Sequence, residues 1–128
     1  MTDLNTPQLS TVDLNAAGFD AKTDCIFCKI VSGVIPAKKI YEDDDVIAFN
    51  DIKPNAKVHF LIVPKLHVAT LADCNGAHQQ LLGKVLLLAP QLAKQQGITG
   101  FKTLINNGKD GGQEVFHLHA HVFGGGAA

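Results

Sequence analysis

The sequence has no arginine and no tryptophan, one tyrosine, one methionine and only three cysteines. Without arginine there is no guanidinium fork to grip a phosphate through two parallel hydrogen bonds, so an anion site must rest on lysines, imidazoles and amides. Eleven lysines against twelve acidic residues leave a formal net charge of −1. That balance offers no electrostatic footprint for nucleic acid or an anionic membrane. No apolar run approaches the ~20 residues of a membrane span. The first residues also lack the basic and apolar regions of a secretory signal, and the expected compartment is cytoplasmic. An odd number of cysteines, two of them in Cys25-Ile26-Phe27-Cys28, fits thiols or metal ligands better than a disulfide framework.

What remains is sized for one domain: 128 residues, 46% of them hydrophobic. A domain this small gains from burying an apolar face against a second copy. Residues 1–23 are polar, with hydrophobes at no regular period, and predict a mobile tail ahead of a domain spanning 24–128. Cys25 to Val31 reads as a short helix with Asp24 as N-cap, closed by Ser32-Gly33. Lys38 to Tyr41 and Val46 to Asn50 read as strands around Glu42-Asp43-Asp44-Asp45, an acidic run expected to be a solvated turn because nothing downstream pairs with it. His59 to Val63 is a third strand, stopped by Pro64. Between Ala77 and Gln96 the residues Leu81, Leu82, Val85, Leu86, Ala89, Leu92 and Ala93 recur at three- and four-residue steps. That spacing predicts an amphipathic helix, kinked or broken by Pro90 and stopped by Gly97. Cys74 and His78, near its start, are expected to be structural or exposed. Strands Phe101 to Ile105 and Val115 to Phe123 follow. Strands outnumber helices and most joins are hairpin-short, so the fold class is α+β: an antiparallel sheet with one long helix and a short N-terminal helix.

Chemistry concentrates at the C-terminal end. In His117-Leu118-His119-Ala120-His121 the period of two puts three imidazoles on one face of a strand and apolar residues on the other. Such a row is either a binding wall or an exposed ladder that collects stray metal. Just upstream, Asn106-Asn107-Gly108-Lys109-Asp110-Gly111-Gly112-Gln113 is an ordinary glycine-rich hairpin or one half of a nucleotide site, since glycines let backbone amides approach an oxyanion. In the second reading phosphate falls to imidazoles, backbone amides and the carboxamides of Asn106 and Gln113.

These stretches, with Ile26-Phe27, Ile35-Pro36-Ala37, Asp51-Ile52, His59 to Lys65 and His67, and Gly111 to Val122, resemble the histidine-triad (HIT) family. The match runs from Asp24 to Gly125, and its nearest branch is the small purine-nucleoside phosphoramidases. The resemblance implies a mononucleotide on the triad strand, with His119 as nucleophile and His121, His117 and His59 completing the catalytic set. It implies Asn106, Gln113 and the Gly112 amide on phosphate oxygens and Asp51 on the ribose hydroxyls, although Asp51 also suits a turn before Ile52-Lys53-Pro54. Ile26, Phe27, Ile35, Phe49, Ile52 and Leu61 match the family's purine pocket and equally suit a core. Glu114 stands where some relatives carry a hydroxyl residue near the leaving group, and relatives often extend a C-terminal tail on that side, so leaving-group specificity stays open.

For Cys25 and Cys28 the resemblance suggests His67 and His117 as partners in a structural zinc site; packing cysteines or a redox pair are the alternatives. The family chemistry requires no cofactor. The function it implies is hydrolysis of the P–N bond of purine nucleoside 5'-phosphoramidates, such as AMP-amine or AMP-lysine, by a homodimer. Dinucleoside polyphosphate hydrolysis, or nucleotide-binding regulation with incidental turnover, are the competing readings.

Overall fold

A computed structural model describes residues 24–126; the expected tail, 1–23, lies outside the described residues. The chain runs through helix α1 (Ile26–Val31), strands β1 (Lys39–Glu42), β2 (Val46–Asn50) and β3 (Val58–Pro64), two single-turn 3-10 segments (Leu71–Asp73, Gly76–His78), helix α2 (Gln79–Gln95), strand β4 (Phe101–Leu104), a 3-10 turn (Lys109–Gly111) and strand β5 (Ala120–Gly124). The strands form one antiparallel sheet in the order β1-β2-β3-β5-β4. The fold is α+β, as the pattern of elements predicts. Among the described residues no helix is long and apolar enough to cross a membrane.

Period-two alternation divides the sheet into two apolar faces. Val46, Ala48, Phe60, Ile62, Ala120 and Val122 pack against Val85, Leu88, Ala89 and Leu92 of α2. Ile47, Phe49, Leu61 and Val63 point the other way and pack against Phe27 and Ile30 of α1. Each fully buried aliphatic or aromatic side chain contributes about 1.5–3 kcal/mol, and Phe60, wholly buried at the centre, would cost about 3–5 kcal/mol on truncation to alanine. The register pairs Leu61 with His121 and His59 with Phe123, so both histidines share the α1 face. Close backbone approach fixes one glycine here: a Cβ on Gly124 would collide with the Gly100 carbonyl oxygen.

Four expectations change. The N-cap of α1 is Cys25, not Asp24; its backbone is extended and its sulfur accepts the Cys28 amide at 3.3 Å. Pro90 does not break α2, which is continuous through it. The carbonyl that proline leaves without a donor belongs to Leu86, about half exposed, where water can take the donor's place. The acidic run does have partners. Lys84 of α2 reaches Asp43 at 2.7 Å and Asp45 at 2.9 Å, and Lys65 reaches Glu42 at 2.8 Å. The run is nevertheless a turn, with Asp43 Oδ1 accepting the amides of Asp45 and Val46. Finally, β5 begins at Ala120 and not at Val115. Its register on β3 would next set Leu118 opposite Pro64, which has no N–H to donate. Leu118 instead donates to the Val68 carbonyl at 2.7 Å.

Candidate active site

His117 and His119 therefore sit in irregular chain leading into β5, and His121 within the strand. Their rings still lie in a row on the α1 side. Phe27 meets His119 edge-on at 5.0 Å and His117 at 5.9 Å, and His119 meets His121 at 5.0 Å.

The decisive detail at each ring is what its second nitrogen does. His119 is buried, and its Nδ1–H donates to the His117 carbonyl at 2.7 Å. That fixes the tautomer and leaves the Nε2 lone pair free. Burial holds the His119 pKa below the ordinary imidazole value, with the His117 carbonyl acting in the opposite sense, so the ring is neutral near pH 7. His121 is depressed likewise, first by burial and then by the neighbouring His119 and His59.

His59 is wired in the reverse sense. The Asn55 amide donates to its Nδ1 at 2.9 Å, so the neutral ring carries its proton on Nε2. That proton faces His121 Nδ1 at 3.0 Å and Asp51 Oδ2 at 3.4 Å. An acceptor role for His121 Nδ1 leaves its Nε2–H as a donor. Asp51, His59 and His121 bring three ligand atoms within 4.8 Å of one another. They fit a metal poorly: coordination through His59 Nε2 while Nδ1 accepts an N–H would require an imidazolate.

A second group, Cys25, Cys28, His67 and His117, also falls within 4.8 Å and does fit. His117 is wholly buried, and its Nε2–H donates to the carbonyl that Pro64 leaves unpaired, at 2.7 Å, so Nδ1 presents a lone pair. That Nδ1 lies 3.3 Å from Cys25 Sγ, 3.5 Å from Cys28 Sγ and 3.1 Å from His67 Nδ1; Cys28 Sγ lies 3.3 Å from His67 Nδ1. A tetrahedral zinc has N···S edges of roughly 3.5 Å and N···N edges of roughly 3.3 Å. Hydrogen bonding to Cys28 holds the Cys25 thiol far below the ordinary thiol range; burial opposes this, and His117 and His67 assist. A thiolate is the form a metal takes.

A cavity of about 180 Å³ is lined by Asn55, His59, Leu104, Asn106, Gly112, Glu114, His121 and Phe123. Gly112 sits in the left-handed region at φ +86° to close the turn. Gln113 is placed otherwise than expected. Its Oε1 accepts the Gly108 amide at 2.7 Å, and its Nε2 donates to the carbonyls of Ala69 at 2.7 Å and Val115 at 3.0 Å. The carboxamide braces the loop and has no N–H left for phosphate.

Asp51 takes the turn role, its Oδ1 accepting the Lys53 amide at 2.8 Å, while its Oδ2 faces His59 and His121. Phe27, Phe49 and Leu61 are buried in one cluster with Ile35 packed against it, whereas Ile26 is exposed and Ile52 is 92% exposed. None of the six lines the cavity. Asn55, Leu104 and Phe123 were not anticipated. Phe123 was accessible by period two from His121, but Leu104 enters only through its register with His121, and Asn55 only through its amide on His59.

The sequence profile of the HIT domain matches residues 32–127. The chain belongs to the HIT domain family. Protein HitA of Neisseria gonorrhoeae is 55% identical over 102 residues, covering 79% of this chain and 95% of that protein. The Escherichia coli K12 protein named purine nucleoside phosphoramidase is 41% identical over 104 residues, covering 80% of this chain and 87% of that protein. Among solved structures, the HIT family hydrolase from Legionella pneumophila superposes with a TM-score of 0.78 at 44% identity, covering 80% of this chain and 93% of that one.

Proposed function

We propose that this HIT protein is a purine nucleotide-binding hydrolase that cleaves the P–N bond of nucleoside 5'-phosphoramidates through a nucleotidyl-histidine. The observation that carries the reading is the His119 Nδ1–H bond to the His117 carbonyl, which leaves a buried, neutral Nε2 as nucleophile. In this scheme Nε2 forms a bond to phosphorus as the P–N bond breaks, and the departing amine keeps the electron pair and takes a proton from His121, which enters the step as the imidazolium and leaves it neutral. Water then attacks phosphorus, returns a proton to His121 and frees His119, giving the nucleoside monophosphate and the amine. Asn106 and the Gly112 amide suit the phosphate oxygens and Asp51 the ribose. The Escherichia coli relative's name supports the choice of bond. Incubating purified protein with AMP-lysine and with a dinucleoside polyphosphate tests it. Preferred hydrolysis of the first and a labelled adenylyl group on His119 are expected. Preference for the polyphosphate, or AMP binding without turnover, overturns it.

Cys25, Cys28, His67 and His117 would hold one zinc, whose chemistry there is structural: a closed shell of four ligands with no position for water. We also infer a homodimer. Strand β4 is a sheet edge, and Leu104, Leu86 and Leu87 are exposed large hydrophobes that a twofold contact could cover. Light scattering at micromolar concentration should give a dimer mass; a monomer mass overturns this.

A further inference from the structure

Glu114 is the one carboxylate lining the cavity beside His121, and no lysine lines it. The side chain is exposed, and among the described residues it forms no ion pair. Its backbone is nonetheless held firmly, because the neighbouring Gln113 is buried and ties the loop to the carbonyls of Ala69 and Val115 and to the Gly108 amide. The result is a fixed root for a free negative charge at the mouth of a site that must accept a phosphate.

A carboxylate near a phosphoryl group is repulsive unless a cation comes between them. The nucleotide brings its negative charge to His119, and no lysine lines the cavity to offset it. The part of the substrate that leaves past His121 is therefore the part able to supply the missing positive charge. An additional ammonium on the departing amine would sit between the phosphate and Glu114 and be attracted by both. A polyphosphate or a carboxylate-bearing leaving group would meet repulsion from the same residue. Glu114 shares the cavity lining with His121, and its charge slightly raises the proton affinity of that ring against the stronger lowering by burial.

We propose that Glu114 is a specificity-determining residue that selects leaving groups by charge, favouring phosphoramidates whose departing amine carries a second, protonated amine over neutral ones and disfavouring anionic ones. This rests on the phosphoramidase reading above and narrows it. Because Glu114 is solvent-exposed, its interaction with a leaving-group ammonium is screened, and the preference per unit of charge is about two- to fivefold.

Three adenosine 5'-phosphoramidates of nearly equal length test it: those of 1,4-diaminobutane, butylamine and 4-aminobutyrate, whose far ends are cationic, neutral and anionic. For the unaltered protein, kcat/KM should fall in that order, with the cationic compound about tenfold above the anionic one, and the spread should shrink in high salt. Glu114→Gln should compress the spread to about twofold, Glu114→Lys should invert it, and Glu114→Asp should preserve the order. The ratio among substrates is the readout, since a general loss of activity or fold lowers all three together. Turnover with the same ratios in Glu114→Gln and Glu114→Lys as in the unaltered protein overturns the role of Glu114 and leaves the phosphoramidase reading intact. Failure of the unaltered protein to hydrolyse any of the three overturns that reading and this inference with it.

Discussion

His117 and His121 are four residues apart and share the α1 side of the sheet, yet they belong to groups with opposite wiring. In the Cys25–Cys28–His67–His117 group, the Pro64 carbonyl takes the His117 Nε2 proton and turns a lone pair inward toward two sulfurs and another imidazole. In the His59–His121–Asp51 group, the Asn55 amide fills the His59 lone pair and turns a proton inward. The first converges acceptors and suits a cation; the second passes a donor toward the cavity and suits a phosphate or a departing amine. Histidine alone specifies neither role, because the partner of the other ring nitrogen decides which one is available.

The largest expected effect is at His119, the ring that stands between the two groups and belongs to neither. His119→Ala should lower phosphoramidate turnover on the order of a thousandfold or more while AMP binding changes little, because the covalent route is lost and the remaining contacts stay. Parallel loss of binding and rate, measured by calorimetry and single-turnover kinetics, would make His119 a binding residue instead.

Next comes the metal group. Protein purified without chelator or a histidine tag should contain one zinc per chain, and Cys28→Ser should lose it. Its Tm should fall by on the order of 10 °C, equivalent to about 3 kcal/mol, with much less effect on kcat at a temperature where the chain stays folded. Well under one zinc per chain after zinc is supplied would falsify the site and make the two cysteines packing residues.

His59→Ala sharpens the contrast from the other side. It removes the donor to His121, so kcat should fall about a hundredfold, the low end of what general acid assistance contributes. Zinc content should not change. A variant that lost zinc together with activity would erase the distinction between the groups.

The smallest effect lies far from both, in the acidic turn. Burial works against the Asp43 carboxylate, but Lys84, the Tyr41 hydroxyl and two backbone amides together hold its pKa below the ordinary range. Stability from a depressed carboxylate is present above the unfolded pKa, near 4, and is lost as pH falls through the lower folded value. Lys84→Met should therefore move the acid-unfolding midpoint to higher pH with only a slight change in Tm at neutral pH. An unchanged midpoint would show that the Lys84 contacts are energetically idle.

Much of the frame was written locally. Strand β2 falls on Val46 to Asn50 as the hydrophobic run predicts, α2 buries Val85, Ala89, Leu92 and Ala93 of its stripe but takes Leu88 inward in place of Leu86, and period two places His121 and Phe123 opposite Ala120 and Val122. Where local reading misplaced something, a distant partner was responsible. Lys84 reaches the acidic turn across 39 or more positions, and Pro64 denies β5 its first rungs. The carboxamide of Gln113, chemically well suited to phosphate, is claimed by the carbonyl of Ala69.

The sequence by itself determined the α+β frame, membership of the HIT family and the set of side chains that carry chemistry, because period, turn residues and motif spacing are properties of neighbouring positions. Only the tertiary structure decided what each of those side chains does. A ring nitrogen is donor, nucleophile or ligand according to the group facing its other nitrogen, and those groups, the carbonyls of Pro64 and His117 and the amide of Asn55, are backbone atoms that every residue type carries and that only folding brings into place.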